Sequence, residues 1–310
     1  FADVPSPELE KFLMLESERF SAPVMRLFHT ELETIYEEFN RSQNSDGRVA
    51  YEELCKNLFK SHPYGWMPNI GKPEHLKNPS VSDIYSFFSK YYVPGNMAIM
   101  ISGDIDYDGT IKLVDKYFGT FPAKDVPKRD MPKEEKSAGN TAVEVSGPET
   151  ETVMLGWRYD TSPENDIMAD LVAKILRNGT SGLMDTNLVR SQKLLGAGAY
   201  AHTKRDYGMF VMNAIPRNGQ TLDDAASLLL AELDKVKEGQ FEDWLLKAVI
   251  DNKRKEFESS RNDPESGQWV YLGAFISGTP YADELAAIER MSQITKKQIA
   301  EFARNSFGNY

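Results

Sequence analysis

One ten-residue pattern occurs twice in the chain. Asp83-Ile84-x-x-Phe87-x-x-x-x-Tyr92 returns as Gln298-Ile299-x-x-Phe302-x-x-x-x-Phe307, with every position shifted by 215. Self-similarity at that distance implies two diverged copies of one unit, so the fold must be one that the sequence can make twice. The length agrees, because 310 residues leave room for two domains of roughly 100–200 residues each. In the first copy the pattern runs through Pro94-Gly95-Asn96 into Met97–Ser102, an apolar run that reads as a fully buried strand. In the second copy the chain reaches Tyr310 before an equivalent strand begins, so that strand is expected to be missing.

The periodicity fills in the remaining elements. Ser6-Pro7 is an N-cap and N1 pair, and Leu9, Phe12, Leu13, Phe20 and Val24 follow at helical spacing, which predicts a helix over 6–27. Helices are expected over 29–41, 50–59, 80–92 and 108–117, with a Pro- and Gly-rich loop from Ser61 to Pro79. Between 122 and 140 the composition turns to Pro, Lys, Asp and Glu with almost nothing apolar, as in an exposed interdomain linker. Strands are then expected over 141–146, 152–158, 196–203 and 207–215, and helices over 163–176, 182–191, 222–237, 241–261 and on to the C-terminus. The class is α+β: two homologous two-layer domains, each a mostly antiparallel sheet with helices packed on it. Residues 1–121 form the later part of the first, truncated at its N-terminal side, and residues 141–310 form the second.

Charge narrows the partners. Thirty-six Lys and Arg stand against 47 Asp and Glu, a net charge of -11, which disfavours nucleic acid and anionic membrane surfaces. No run reaches the roughly 18 apolar residues that cross a bilayer, so no membrane partner is expected. The single cysteine, Cys55, excludes an internal disulfide and a cysteine-rich zinc site, and the cellular compartment is left open.

Chemistry is best represented by Glu31-Leu-Glu-Thr-Ile-Tyr-Glu-Glu38. Positions seven apart on a helix return to nearly the same face, so Glu31 and Glu38 project together two turns apart. Such a pair serves either as part of a metal site or as a solvated acidic surface, and spacing alone leaves both open. None of His29, His62, His75 and His202 completes an H-E-x-x-H or H-x-x-E-H arrangement. His62, in His62-Pro63-Tyr64-Gly65-Trp66, is read as packing an ordered loop, and Cys55 as core. There is no G-x-S-x-G, and Gly179-Thr180-Ser181-Gly182 reads as a turn and helix cap.

Taken in order, the Glu31/Glu38 helix, His62-Pro63-Tyr64-Gly65 followed by Ile70-Gly71, and Tyr91-Tyr92-Val93-Pro94-Gly95-Asn96-Met97 leading to Ile101-Ser102-Gly103-Asp104 resemble the pitrilysin/insulinase family of zinc metallopeptidases. The resemblance covers nearly the whole chain. It implies a zinc-dependent endopeptidase in which two halves enclose a chamber where peptides are cut. Two His ligands and a general-base Glu come from an H-x-x-E-H helix in that family, and a later helix adds a carboxylate. By similarity Glu38 is that distal zinc ligand and Glu31 an acidic residue supporting it, whereas the H-x-x-E-H segment would precede Phe1.

The resemblance therefore makes the chain a fragment that is inactive alone, with zinc in the parent protein and none expected on the fragment. Its expected partners are peptide substrates, the missing N-terminal segment, and a second homologous half or subunit. The sheet edge left by the missing strand adds an expectation of self-association. Family members also place an Arg and a later Tyr near the scissile peptide. Here Arg190 is displaced by one position and Gly196 stands where Tyr is expected, which makes Arg190 and Tyr200 the candidate substrate-binding residues. The weakened pattern motivates an alternative, a non-catalytic relative acting as a chamber-forming or assembly subunit.

Overall fold

Both copies of the repeated pattern fold into an eleven-residue helix, Val81–Tyr91 and Lys296–Ser306, and the bounds of the two helices are themselves 215 apart. In chain order the helices are α1 (Leu9–Ser21), α2 (Phe28–Ser42), α3 (Asp46–Leu58), α4 (Pro73–Leu76), α5 (Val81–Tyr91) and α6 (Tyr107–Phe118). Strand β1 (Val153–Asp160) and helix α7 (Pro163–Leu176) follow, then a π-helical turn over Asp185–Arg190 and strands β2 (Gly196–Thr203) and β3 (Tyr207–Ile215). Helices α8 (Leu222–Lys237), α9 (Asp243–Asn262), α10 (Pro264–Ser277), α11 (Tyr281–Ser292) and α12 (Lys296–Ser306) complete the chain. This computed structural model describes residues 1–77, 79–137 and 139–310; Asn78, in the expected loop, and Ala138, in the expected linker, lie outside the described residues.

The residues divide into two compact units. Unit 1 comprises Phe1–Arg41, Asn69–Met131 and Arg261–Leu272, and unit 2 comprises Ser42–Pro68, Pro132–Ser260 and Gly273–Tyr310.

Unit 2 is built on a three-stranded antiparallel sheet of order β1-β3-β2. Strand β3 is apolar and buried on both faces, so period-two alternation sends its side chains into two separate cores. Leu155, Trp157 and Tyr159 of β1 and Phe210, Met212 and Ala214 of β3 pack against α7, α8 and α12. On the opposite face Met209 and Val211 pack against Cys55 and Phe59, at and just beyond the end of α3. Gly156 permits this second approach, because a Cβ there would lie 2.7 Å from a Leu54 side-chain carbon. Helix α12 is fixed by a Thr295/Gln298 capping box and buries Ile299 and Ala303, with Phe307 at its C-cap beneath the sheet.

Unit 1 is helical. Glu10 of α1 accepts from Lys116 (2.7 Å) and Tyr117 (3.0 Å) of α6. Phe20 of α1 lies against Phe88 and Tyr92, which stack on each other at 4.4 Å. Ile99, Ile101, Ile105, Ile111, Val114 and Phe118 line an open apolar cavity of about 520 Å³.

The repeat reaches beyond the pattern found in the sequence. The Glu16–Arg19 pair of α1 reappears as Glu232–Lys235 of α8, offset by 216 (16 to 232 and 19 to 235), and buried Leu13 corresponds to buried Leu229 in the same register.

The α+β class holds, and the strands over 152–158, 196–203 and 207–215 and the helices over 163–176 and 222–237 are found within two residues of their expected bounds. Several local expectations change, among them the helix expected over 50–59, which begins four residues earlier at Asp46. Met97–Ser102 and residues 141–146 form no strand, since an extended segment becomes one only when a neighbour completes its ladder. Among the described residues, then, the only sheet belongs to unit 2. Residues 182–191 do not form one regular α-helix but wind into the wider π-turn. Helix α1 is shorter than 6–27, ending at Ser21. Finally, the segment 122–140 is not uniformly solvated: the Glu134 side chain is buried, held by the amides of Ser61 (2.7 Å) and His62 (2.5 Å).

Candidate functional site

Helix α2 carries the two carboxylates singled out by spacing. Its half-buried stripe is Phe28, Leu32, Ile35, Tyr36 and Phe39, and Glu31 and Glu38 both stand exposed beside it. Two turns separate them, about 10 Å along the axis. Glu31 lies in the first turn, where a negative charge complements the helix dipole. The helix is entered through Leu27, held in the left-handed region at φ 56°, with its carbonyl accepting from the Glu31 amide at 2.9 Å.

A zinc centre requires three or four nitrogen, oxygen or sulfur donors converging on one point. Among the described residues no group of three His, Cys, Asp or Glu side chains is arranged to hold a metal ion. Glu38 is a single donor, so the residues of this chain do not by themselves fit a zinc site.

Arg190 and Tyr200 both lie in unit 2. Arg190 is exposed at the end of the π-helical turn, and Tyr200 is partly exposed on edge strand β2, opposite Val211. Burial, and then neighbouring Cys55, push the Tyr200 phenol up. Neighbouring Tyr51 has its hydroxyl 3.4 Å from His202 Nδ1, and its own pKa is raised by burial. The His202 imidazole is pushed down, by burial and then by Lys204. Burial raises the Cys55 thiol as well, which suits a core residue and opposes a nucleophilic role.

His62 has the packing role expected of it, at 1 % exposed. Its Nδ1 accepts from the Tyr64 amide at 3.3 Å, and its Nε2 lies 3.4 Å from Asp206 Oδ2. Arg158 secures the same loop by donating to the Leu58 and Glu135 carbonyls while pairing with Glu134 at 3.4 Å.

Two buried acids escaped the sequence reading. Asp185 accepts from Arg177 and from the amides of Asn178, Gly179 and Gly182, and Glu232 accepts from Asn187 Nδ2 at 2.8 Å. The Gly179–Gly182 turn next to Asp185 was a usable signal for the first. Glu232, on a helix rich in charge, gave none.

Residues 80–253 match the family described as the peptidase M16 inactive domain. The zinc protease PqqE of Helicobacter pylori is 26% identical over 270 residues, covering 84% of this chain and 60% of that protein. The chain thus spans less than two thirds of that relative's length. Among solved structures, a protease from Helicobacter pylori superposes with TM-score 0.90 at 22% identity, over 99% of this chain and 76% of that one. The first half of the periplasmic protease PqqL from Escherichia coli gives TM-score 0.74 at 18% identity, over 100% of this chain and 70% of that one. Those two likenesses establish the fold, and the family match over more than half of the residues establishes the kinship: this chain belongs to the peptidase M16 family, the pitrilysin-type group that its motifs resemble.

Proposed function

We propose that this chain is part of a zinc-dependent endopeptidase that cuts peptides in an enclosed chamber. The observation carrying the proposal is the exposed Glu31/Glu38 pair on one helix of an M16 family member. Glu38 is the carboxylate ligand, and Glu31 supports it from behind, as groups surrounding a metal site orient its ligands. The remaining donors come from an H-x-x-E-H helix outside these 310 residues, so the chain alone neither holds zinc firmly nor cleaves peptides. Arg190 and Tyr200 bind the peptide backbone. In this reading residues 1–121 are the later part of one peptidase-like domain and residues 141–310 most of a second, joined through 122–140. A second homologous half or subunit closes the chamber.

A second reading rests on Gly196, which stands where the family pattern expects Tyr: a non-catalytic relative that serves as a chamber-forming or assembly subunit. Sequencing the parent gene upstream of the Phe1 codon separates the two. An encoded H-x-x-E-H helix supports the peptidase, and its absence leaves the assembly subunit.

A further inference from the structure

The π-helical turn Asp185–Arg190 is held at its start and its middle by buried polar groups. At its start Asp185, 4 % exposed, is saturated by Arg177 and three backbone amides. At mid-turn Asn187 donates to Glu232, 3 % exposed, whose other oxygen takes the Lys235 ammonium at 2.6 Å. Leu188 and Leu194 anchor the turn and its exit in the core. Gln192 then adopts the left-handed region at φ 57°, and the Lys193 and Leu194 amides both return to the Leu188 carbonyl, at 2.8 and 3.1 Å. A π-turn is a rare, poorly packed alternative to the α-helix, and a left-handed non-glycine residue adds strain. Both persist only where surrounding groups enforce them, and here Arg177, the amides of Asn178, Gly179 and Gly182, and Glu232 do so. What the device presents is Arg190, the basic residue of its last turn, exposed and without an ion pair or hydrogen bond among the described residues.

We infer that Glu232 and Asn187 are positioning residues that lock the π-turn so that Arg190 is fixed for binding a peptide. This deepens the substrate-binding role proposed above for Arg190 and rests on it. An Arg held rigidly loses less freedom when its guanidinium engages a carboxylate or carbonyl, so the benefit of the lock is read in affinity.

The test measures fluorescence anisotropy of a fluorescein-labelled ten-residue peptide of mixed composition with the full-length protein that contains this chain, treated with EDTA so that the peptide is not cut, beside amide hydrogen exchange over residues 185–194. Arg190→Ala is expected to weaken binding about tenfold or more, the scale of one charge-assisted hydrogen bond. Asn187→Ala and Glu232→Leu are expected to weaken it comparably, to speed exchange in the turn, and to add nothing in an Arg190→Ala background. Glu232→Gln keeps an acceptor for the Asn187 amide and is expected to stay within about twofold of wild type. A wild-type protein that does not bind the peptide, or an Arg190→Ala variant that binds normally, overturns the role of Arg190 together with the inference. If Arg190→Ala weakens binding but Asn187→Ala does not, or if the Asn187→Ala loss persists in the Arg190→Ala background, the positioning inference alone falls.

Discussion

Phe307 stacks on Phe210, with ring centroids 4.2 Å apart and planes 20° from parallel. This contact seats the second copy of the repeated pattern on the sheet. Its counterpart in the first copy, Tyr92, is 48 % exposed, and its stacking partner is Phe88. Equivalent positions in the repeat therefore carry different loads. Phe307→Ala should cost about 3–5 kcal/mol and Tyr92→Ala well under half of that, as read from urea unfolding midpoints. Equal costs would contradict the packing described for α12.

The repeat also indicates what a sequence can and cannot reveal. Strand β3 and helices α7 and α8 were legible because their apolar periodicity agrees with their packing. Met97–Ser102 has the composition of a buried strand, but strand formation depends on a neighbour's backbone, which local sequence does not encode. At the candidate site the one-face arrangement of Glu31 and Glu38 followed from spacing. The π-turn that ends at Arg190 did not, because it depends on Asn187 meeting Glu232, 45 residues away in sequence.

Arg158 and Glu134 form a pair shielded from solvent, and Glu134 also receives the Ser61 and His62 amides. Arg158→Ala leaves a buried carboxylate without its cation, so a loss of about 3 kcal/mol is expected, with faster amide exchange across residues 59–66. Unchanged exchange there would mean that the loop is held by other contacts.

Cys55 offers a titration test. Burial raises its thiol, so the unfolded chain ionises first, and stability should fall as pH rises above about 8.5, the ordinary thiol value. Alkylation by iodoacetamide at pH 8 should be slow in the folded chain and fast in urea. Rapid labelling without denaturant would show that Cys55 is not held in the core.

The sheet of unit 2 has two outer strands, β1 and β2, among the described residues. Unpaired backbone groups on such strands recruit other strands. Light scattering of the isolated chain should therefore give a mass that rises with concentration, and a constant monomer mass at high concentration would exclude edge pairing.

The role proposed for Glu38 is to bind zinc in the full-length protein. Its most direct measurement is the zinc content and peptide-cleaving rate of the full-length protein carrying Glu38→Gln beside wild type. Bound zinc is expected to fall and zinc-dependent cleavage to drop by at least about a hundredfold, in keeping with the loss of a metal ligand. A variant that keeps both its zinc and its activity would remove Glu38 from the metal site.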